Sequence, residues 1–118
     1  MRPIHRWFER QAEARPNSIA VIYRQTRLTY SELNIRANRL AHALNQWGVG
    51  PDIPVGLYLE EGLETLVGML AILKAGGGYV PLDPQLPLNR LAQILAKAEP
   101  PVMVTQSGLP VLAEAYGG

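Results

Sequence analysis

The sequence predicts an α/β protein, a layered domain with a partly parallel sheet built around a βαβ crossover. Three observations carry that prediction. Val55-Gly56-Leu57-Tyr58-Leu59 is continuously apolar, as expected of a parallel strand covered on both faces. From Leu63 to Ala75, the apolar residues Leu63, Leu66, Val67, Met69, Leu70, Ile72 and Leu73 run nearly all round a helix, which therefore belongs deep in the structure. Tyr79-Val80-Pro81-Leu82 is a second strand, and strand, helix, strand in so short a span makes a crossover that is nearly always right-handed.

The elements before the crossover follow from spacing. Ile4, Trp7, Phe8 and Ala12 recur at helical intervals, so residues 4–14 form a short amphipathic helix that ends at Arg15-Pro16-Asn17. Ile19-Ala20-Val21-Ile22-Tyr23 is a β-branched strand, and Arg24 to Arg27 turns it into a short return strand ending near Leu28. Thr29 and Glu32 have the spacing of a capping box, with Leu28 and Leu33 at the two positions of a hydrophobic staple. The helix that follows buries Leu33, Ala37, Leu40, Ala41 and Leu44, and turns Asn34, Asn38, Arg39, His42 and Asn45 toward solvent or a neighbouring lobe. Gly48 supplies its left-handed C′ residue, and Val49 is placed for a Schellman contact.

Beyond the crossover, Gly76 ends the apolar helix and Asp83-Pro84-Gln85-Leu86-Pro87 is a turn. Leu88, Leu91, Ile94, Leu95 and Ala98 mark an amphipathic helix stopped by Pro100-Pro101, and Val102-Met103-Val104-Thr105 is a final strand. A short helix is expected from Leu109 to Tyr116.

Composition narrows the function classes. A chain of 118 residues is one domain's worth, with 47% apolar residues, so it has a core to bury. It has no cysteine, which removes disulfides, thiolate metal sites and a cysteine nucleophile, and fits a reducing cytoplasm. The first residues carry no secretory signal, and the apolar stretch to Ala75 is well short of the ~20 residues a membrane span needs. The net charge of +1 conceals a basic half: eight arginines face three acids through residue 50, and three bases face seven acids beyond it. Those arginines sit on separate elements near acids, as in Arg6 with Glu9 and Arg10 with Glu13, so a solvated surface explains them better than nucleic acid does.

No residue gains a chemical role from its context. Gly76-Gly77-Gly78 follows a helix C-terminus, the wrong end of the dipole for a phosphate, and reads as a tight reversal against a crowded core. Lys74 complements the same helix end, with no local partner to activate it. Asp83 reads as a turn residue, His5 and His42 stand apart from any ligand cluster, Ser31 and Ser107 lack a nucleophile elbow, and Tyr58 and Tyr79 read as packed strand residues. Catalytic, cofactor-binding and metal-binding residues are therefore expected to number none.

Two stretches together resemble a known family. Leu73-Lys74-Ala75-Gly76-Gly77-Gly78-Tyr79-Val80-Pro81-Leu82-Asp83 resembles the second core motif, LKAGxAYVPxD, of the adenylation domains of nonribosomal peptide synthetases. Leu28-Thr29-Tyr30-Ser31-Glu32-Leu33 resembles their first, LTYxEL, and Trp47-Gly48-Val49-Gly50-Pro51 lies between the two as in relatives. The likeness runs from about Ile4 to Gln106, and departs from the family at Gly78, where alanine is usual, and in a hairpin turn without glycine. It implies the opening part of the large N-terminal lobe of an adenylate-forming enzyme, with residues 1–118 a partial N-terminal subdomain. The complete enzyme would use ATP and Mg to form an aminoacyl adenylate and pass it to a phosphopantetheine carrier thiol.

The motifs that contact ATP phosphates, adenine, ribose and the substrate amine, and the family's catalytic lysine, have no counterpart in this chain. The chain alone is therefore expected to bind no cofactor and to be inactive. Its implied partner is the remainder of the synthetase, namely the rest of the adenylation domain with carrier and condensation domains, and its open apolar surfaces favour self-association. The initial methionine reads as the start of a truncated, split or incompletely sequenced gene product. The alternatives are a fragment of an acyl-CoA or aryl-acid ligase, or a non-catalytic module complementing a separately encoded remainder.

Overall fold

A three-stranded, all-parallel sheet organises the computed structural model, which describes residues 4–60 and 62–105. In chain order come helix α1 (Ile4–Ala14), strands β1 (Ile19–Tyr23) and β2 (Thr26–Thr29), helix α2 (Tyr30–Gln46) and strand β3 (Pro54–Tyr58). Helix α3 (Leu63–Lys74), strand β4 (Gly78–Pro81), helix α4 (Leu88–Ala98) and strand β5 (Val102–Thr105) complete it. The expected helix at Leu109 to Tyr116 lies outside the described residues.

The strand order is β4-β3-β5, so β3 is central and parallel to both neighbours, with Val55 opposite Tyr79 on one side and Val102 on the other. The chain moves outward from β3 to β4 and then back past β3 to β5. Right-handed crossovers taken in opposite directions place their helices on opposite faces. The core agrees with this. Val55, Leu57 and Leu59 pack with Ala71, Ile72 and Ala75 of the α3 side, whereas Tyr58 packs with Leu82, Leu91 and Leu95 on the α4 side. The two-residue alternation of one strand thus feeds two cores, which is why its sequence has no polar face.

A second layer packs on the far side of α3. Phe8 of α1, Leu28 of β2, Leu33 and Ala37 of α2, and Val67 and Leu70 of α3 form one buried cluster. The hairpin β1–β2 is tighter than the sequence suggests. Tyr23 pairs with Thr26, so only Arg24 and Gln25 turn, and β2 runs from Thr26 to Thr29. Arg24 takes a left-handed φ of 56°, standing in for the glycine that such a turn favours.

Helix α2 opens with the expected capping box: Glu32 N–H donates to Thr29 Oγ1 at 3.1 Å, and Thr29 N–H donates to Glu32 Oε1 at 3.0 Å. The staple residues Leu28 and Leu33 share the cluster below it. Its other end is a full Schellman motif. Gly48 has φ 93°, Val49 N–H donates to Leu44 O, and Gly48 N–H donates to Asn45 O.

Candidate functional site

The glycine-rich segment is where chemistry was to be sought, and its backbone can be accounted for donor by donor. Helix α3 ends in a second Schellman motif, with Ala75 as C-cap and Gly76 at φ 92°. Gly76 N–H donates to Leu73 O at 3.1 Å and Gly77 N–H to Ile72 O at 3.0 Å. Gly78 N–H donates to Ile53 O at 3.1 Å, which starts the pairing of β4 with β3. All three glycine donors are therefore engaged by carbonyls. An anion arriving here would meet a helix C-terminus and no unused N–H.

What the glycines provide is close approach. A Cβ on Gly77 would sit 2.8 Å from Val49 Cγ1 and 2.9 Å from the backbone Ile53 O, whereas a Cβ on Gly78 would meet nothing within 4 Å. Asn45 ties the two helix ends together: with its amide turned to face them, it donates to Val49 O and Ala75 O, each at 3.0 Å. Asn45 is exposed, in keeping with its expected place toward solvent or a neighbouring lobe, but nothing local reveals that a second helix ends beside it.

Lys74 stands in the last turn of α3 as expected, but it has a distant partner that its local sequence does not show: its Nζ lies 2.5 Å from Glu9 Oε2, and its side chain is 4% exposed against 41% for Glu9. Glu9 thus reaches α3 instead of serving only the arginine three residues before it. His5 is next to this pair, with a buried Nδ1 that has no hydrogen-bond partner. Burial first, and then the charges of Arg6 and Lys74, hold its pKa below the ordinary histidine value, against the opposing pull of Glu9.

The remaining candidates fall into structural places. Asp83 Oδ1 accepts from Gln85 N–H at 2.9 Å, the turn bond expected of it. His42 is exposed on α2, 3.4 Å from the Gln46 amide. Ser31 donates its backbone N–H to Pro16 O, and Ser107 lies outside the described residues. Tyr58 is buried, but Tyr79 is half-exposed and lines a shallow concavity with Asp52, Ile53 and the glycines, so it is not the packed residue anticipated. Among the described residues, no group of three or more His, Asp or Glu side chains could hold a metal.

An apolar groove of about 470 Å³ opens between α2 and β5, lined by Leu40, Ala43, Leu44, Trp47 and the strand from Val102 to Thr105. Leu40, expected in the core, is only partly buried there, and Trp47 is 76% exposed.

The AMP-binding enzyme family model matches residues 8–116. This chain belongs to the AMP-binding enzyme family. It is similar to malpinin synthetase of Mortierella alpina, 54% identical over 104 residues that make up 88% of this chain and 1% of that protein. It is also similar to tyrocidine synthase 1 of Brevibacillus parabrevis, 42% identical over 114 residues, or 97% of this chain and 10% of that protein. Among solved structures it is similar to the nonribosomal peptide synthetase FmoA3 in its alpha-methyl-L-serine-AMP bound form. That match is 35% identical with a TM-score of 0.84, and covers 93% of this chain and 13% of the other. The N-terminal subdomain of Klebsiella oxytoca NpsA shares the fold at a TM-score of 0.85 and 23% identity, over 95% of this chain and 29% of that one. The chain thus spans a small part of the proteins it matches. The two motifs that suggested the family are its two helix-boundary structures, the capping box of α2 and the glycine turn after α3.

Proposed function

We propose that this chain is a partial N-terminal subdomain of an amino-acid adenylation domain, and that it supplies framework while the reacting groups lie outside it. The complete enzyme would join an amino acid to AMP, releasing pyrophosphate from ATP, and transfer the aminoacyl group to a phosphopantetheine thiol. The observation that carries this reading is the engaged state of the glycine donors. The segment most like a phosphate loop is a helix-to-strand turn with nothing to offer a phosphate. ATP, Mg and the carrier thiol would accordingly be held by residues beyond those in this chain.

Amino-acid activation is favoured over an acyl-CoA or aryl-acid ligase by the wording of residues 73–83 and by the likeness to FmoA3, whose bound ligand is an aminoacyl adenylate. The groove between α2 and β5 is the face on which the remainder of the adenylation domain would pack, since its apolar lining calls for cover. The cytoplasm is the compartment this reading implies. No helix among the described residues is long and apolar enough to cross a membrane.

Amino-acid-dependent exchange of labelled pyrophosphate into ATP tests the proposal. The isolated chain should give no exchange above a blank, and a chimera in which its residues 4–105 replace the matching segment of tyrocidine synthase 1 should retain exchange. Exchange by the isolated chain would overturn it, as would a folded chimera without any.

A further inference from the structure

Two titratable groups from two helices meet where α1 lies against the end of α3, and a third stands one helical turn away on α1. Lys74 Nζ, on a side chain only 4% exposed, pairs with Glu9 Oε2. His5 is one helical turn before Glu9 on the same face of α1, and its buried Nδ1 has no hydrogen-bond partner. Among the described residues, the charged groups acting on the ring are Glu9 and Arg6 of α1 and Lys74 of α3, and none of them comes from α2, the other helix against α1.

We propose that His5, Glu9 and Lys74 form a proton-sensitive latch that fixes α1 to the turn ending α3. With His5 neutral, one carboxylate serves one buried ammonium and the site is balanced. A proton on His5 gives two cations and a single carboxylate. If Glu9 stays with Lys74, a partly buried imidazolium is left beside Lys74 and Arg6. If Glu9 turns to His5, the buried ammonium is left unpaired, which is the costlier outcome. Either way the docked helix loses ground to an undocked one whose imidazole is solvated.

Burial leads the causes that lower the His5 pKa in the docked state, so the undocked state takes the proton at higher pH. The latch is then at full strength above the ordinary histidine pKa of about 6.5, and weakens as pH falls through it toward the lowered value. Phe8, buried in the cluster beneath α1, is the anchor that release would expose.

Hydrogen–deuterium exchange on the full chain, corrected for intrinsic rates, reads the latch through the amides of residues 8–14. Between about pH 7.5 and about pH 5.5, protection should fall by roughly twofold or more in the wild type, in the direction set by the lowered His5 pKa of the docked state. The same fall is expected in His42→Gln, which removes the other histidine. Protection should stay level in His5→Phe, which keeps the ring's volume and loses no hydrogen bond; His5→Gln gives the same reading should the phenyl variant not fold. A fall of equal size in the His5 variants, or no fall in the wild type, would overturn the proposal.

Discussion

Glu9 and Lys74 are 65 positions apart in the chain and form a partly buried ion pair that joins the first helix to the end of the third. The lysine most open to a catalytic reading is thereby given a structural employment. Its charge is neutralised by α1, and its position at the C-terminus of α3 is also the one the helix dipole favours.

The two partners should respond unequally to substitution. Glu9→Gln leaves a buried ammonium without its countercharge and should cost about 1–3 kcal/mol. Lys74→Met leaves only a half-exposed carboxylate that water can reach, and should cost less. Urea midpoints of the wild type, both single variants and the double variant form a cycle, in which the double variant should lose less than the two single losses together. Strict additivity would show that the pair does not interact.

The glycine turn makes a contrast between neighbours. Gly77→Ala places a methyl group against Val49 and against the backbone Ile53 O, and should cost about 1–3 kcal/mol by overpacking. Gly78→Ala meets open space at an ordinary φ, and should be neutral or stabilising by up to about 1 kcal/mol through the unfolded chain. Thermal melting of the two variants checks this, and equal losses would contradict the crowding argument.

At the start of α2, Thr29→Ala removes the cap and should cost about 1 kcal/mol. The Thr29 N–H that donates to its carboxylate holds Glu32 below its ordinary pKa, with the Thr29 hydroxyl next in effect. A depressed folded-state value means stability present above the unfolded glutamate pKa and lost as pH falls through the lowered one. Glu32→Gln should therefore flatten the acid limb of the stability profile below about pH 5, and leave its slope near neutrality alone.

The groove predicts association. Among the described residues, β4 pairs with β3 alone, and Trp47 stands exposed beside the apolar groove between α2 and β5. Sedimentation of the isolated chain at micromolar concentration should show species larger than the monomer, and Trp47→Lys should shift the distribution toward monomer. A sharp monomer peak for the wild type, with cooperative melting, would contradict this.

The fold was legible because its signals are local. The apolar run at β3, the all-round helix α3 and the caps at Thr29 and Gly48 each depend on residues within a few positions of one another, and each element stands where its pattern put it. The hairpin turn is tighter than its residues suggest because Arg24 adopts a left-handed conformation that its side chain does not advertise. The Glu9–Lys74 pair and the Asn45 bridge were not legible at all. Both join elements brought together only by the crossover, and Lys74 and Asn45 look in sequence like surface residues. The family was readable, by contrast, because its motifs mark helix boundaries, where backbone geometry restricts residue choice most tightly.

These motifs are proposed to be framework and not chemistry. The most direct test is pyrophosphate exchange by the chimeric adenylation domain carrying residues 4–105, with Thr29→Ala and Lys74→Met made separately and rates expressed per folded molecule. A framework role predicts lowered melting temperatures with exchange rates within a few-fold of the unsubstituted chimera. A hundredfold loss of rate at unchanged melting temperature in either variant would contradict it.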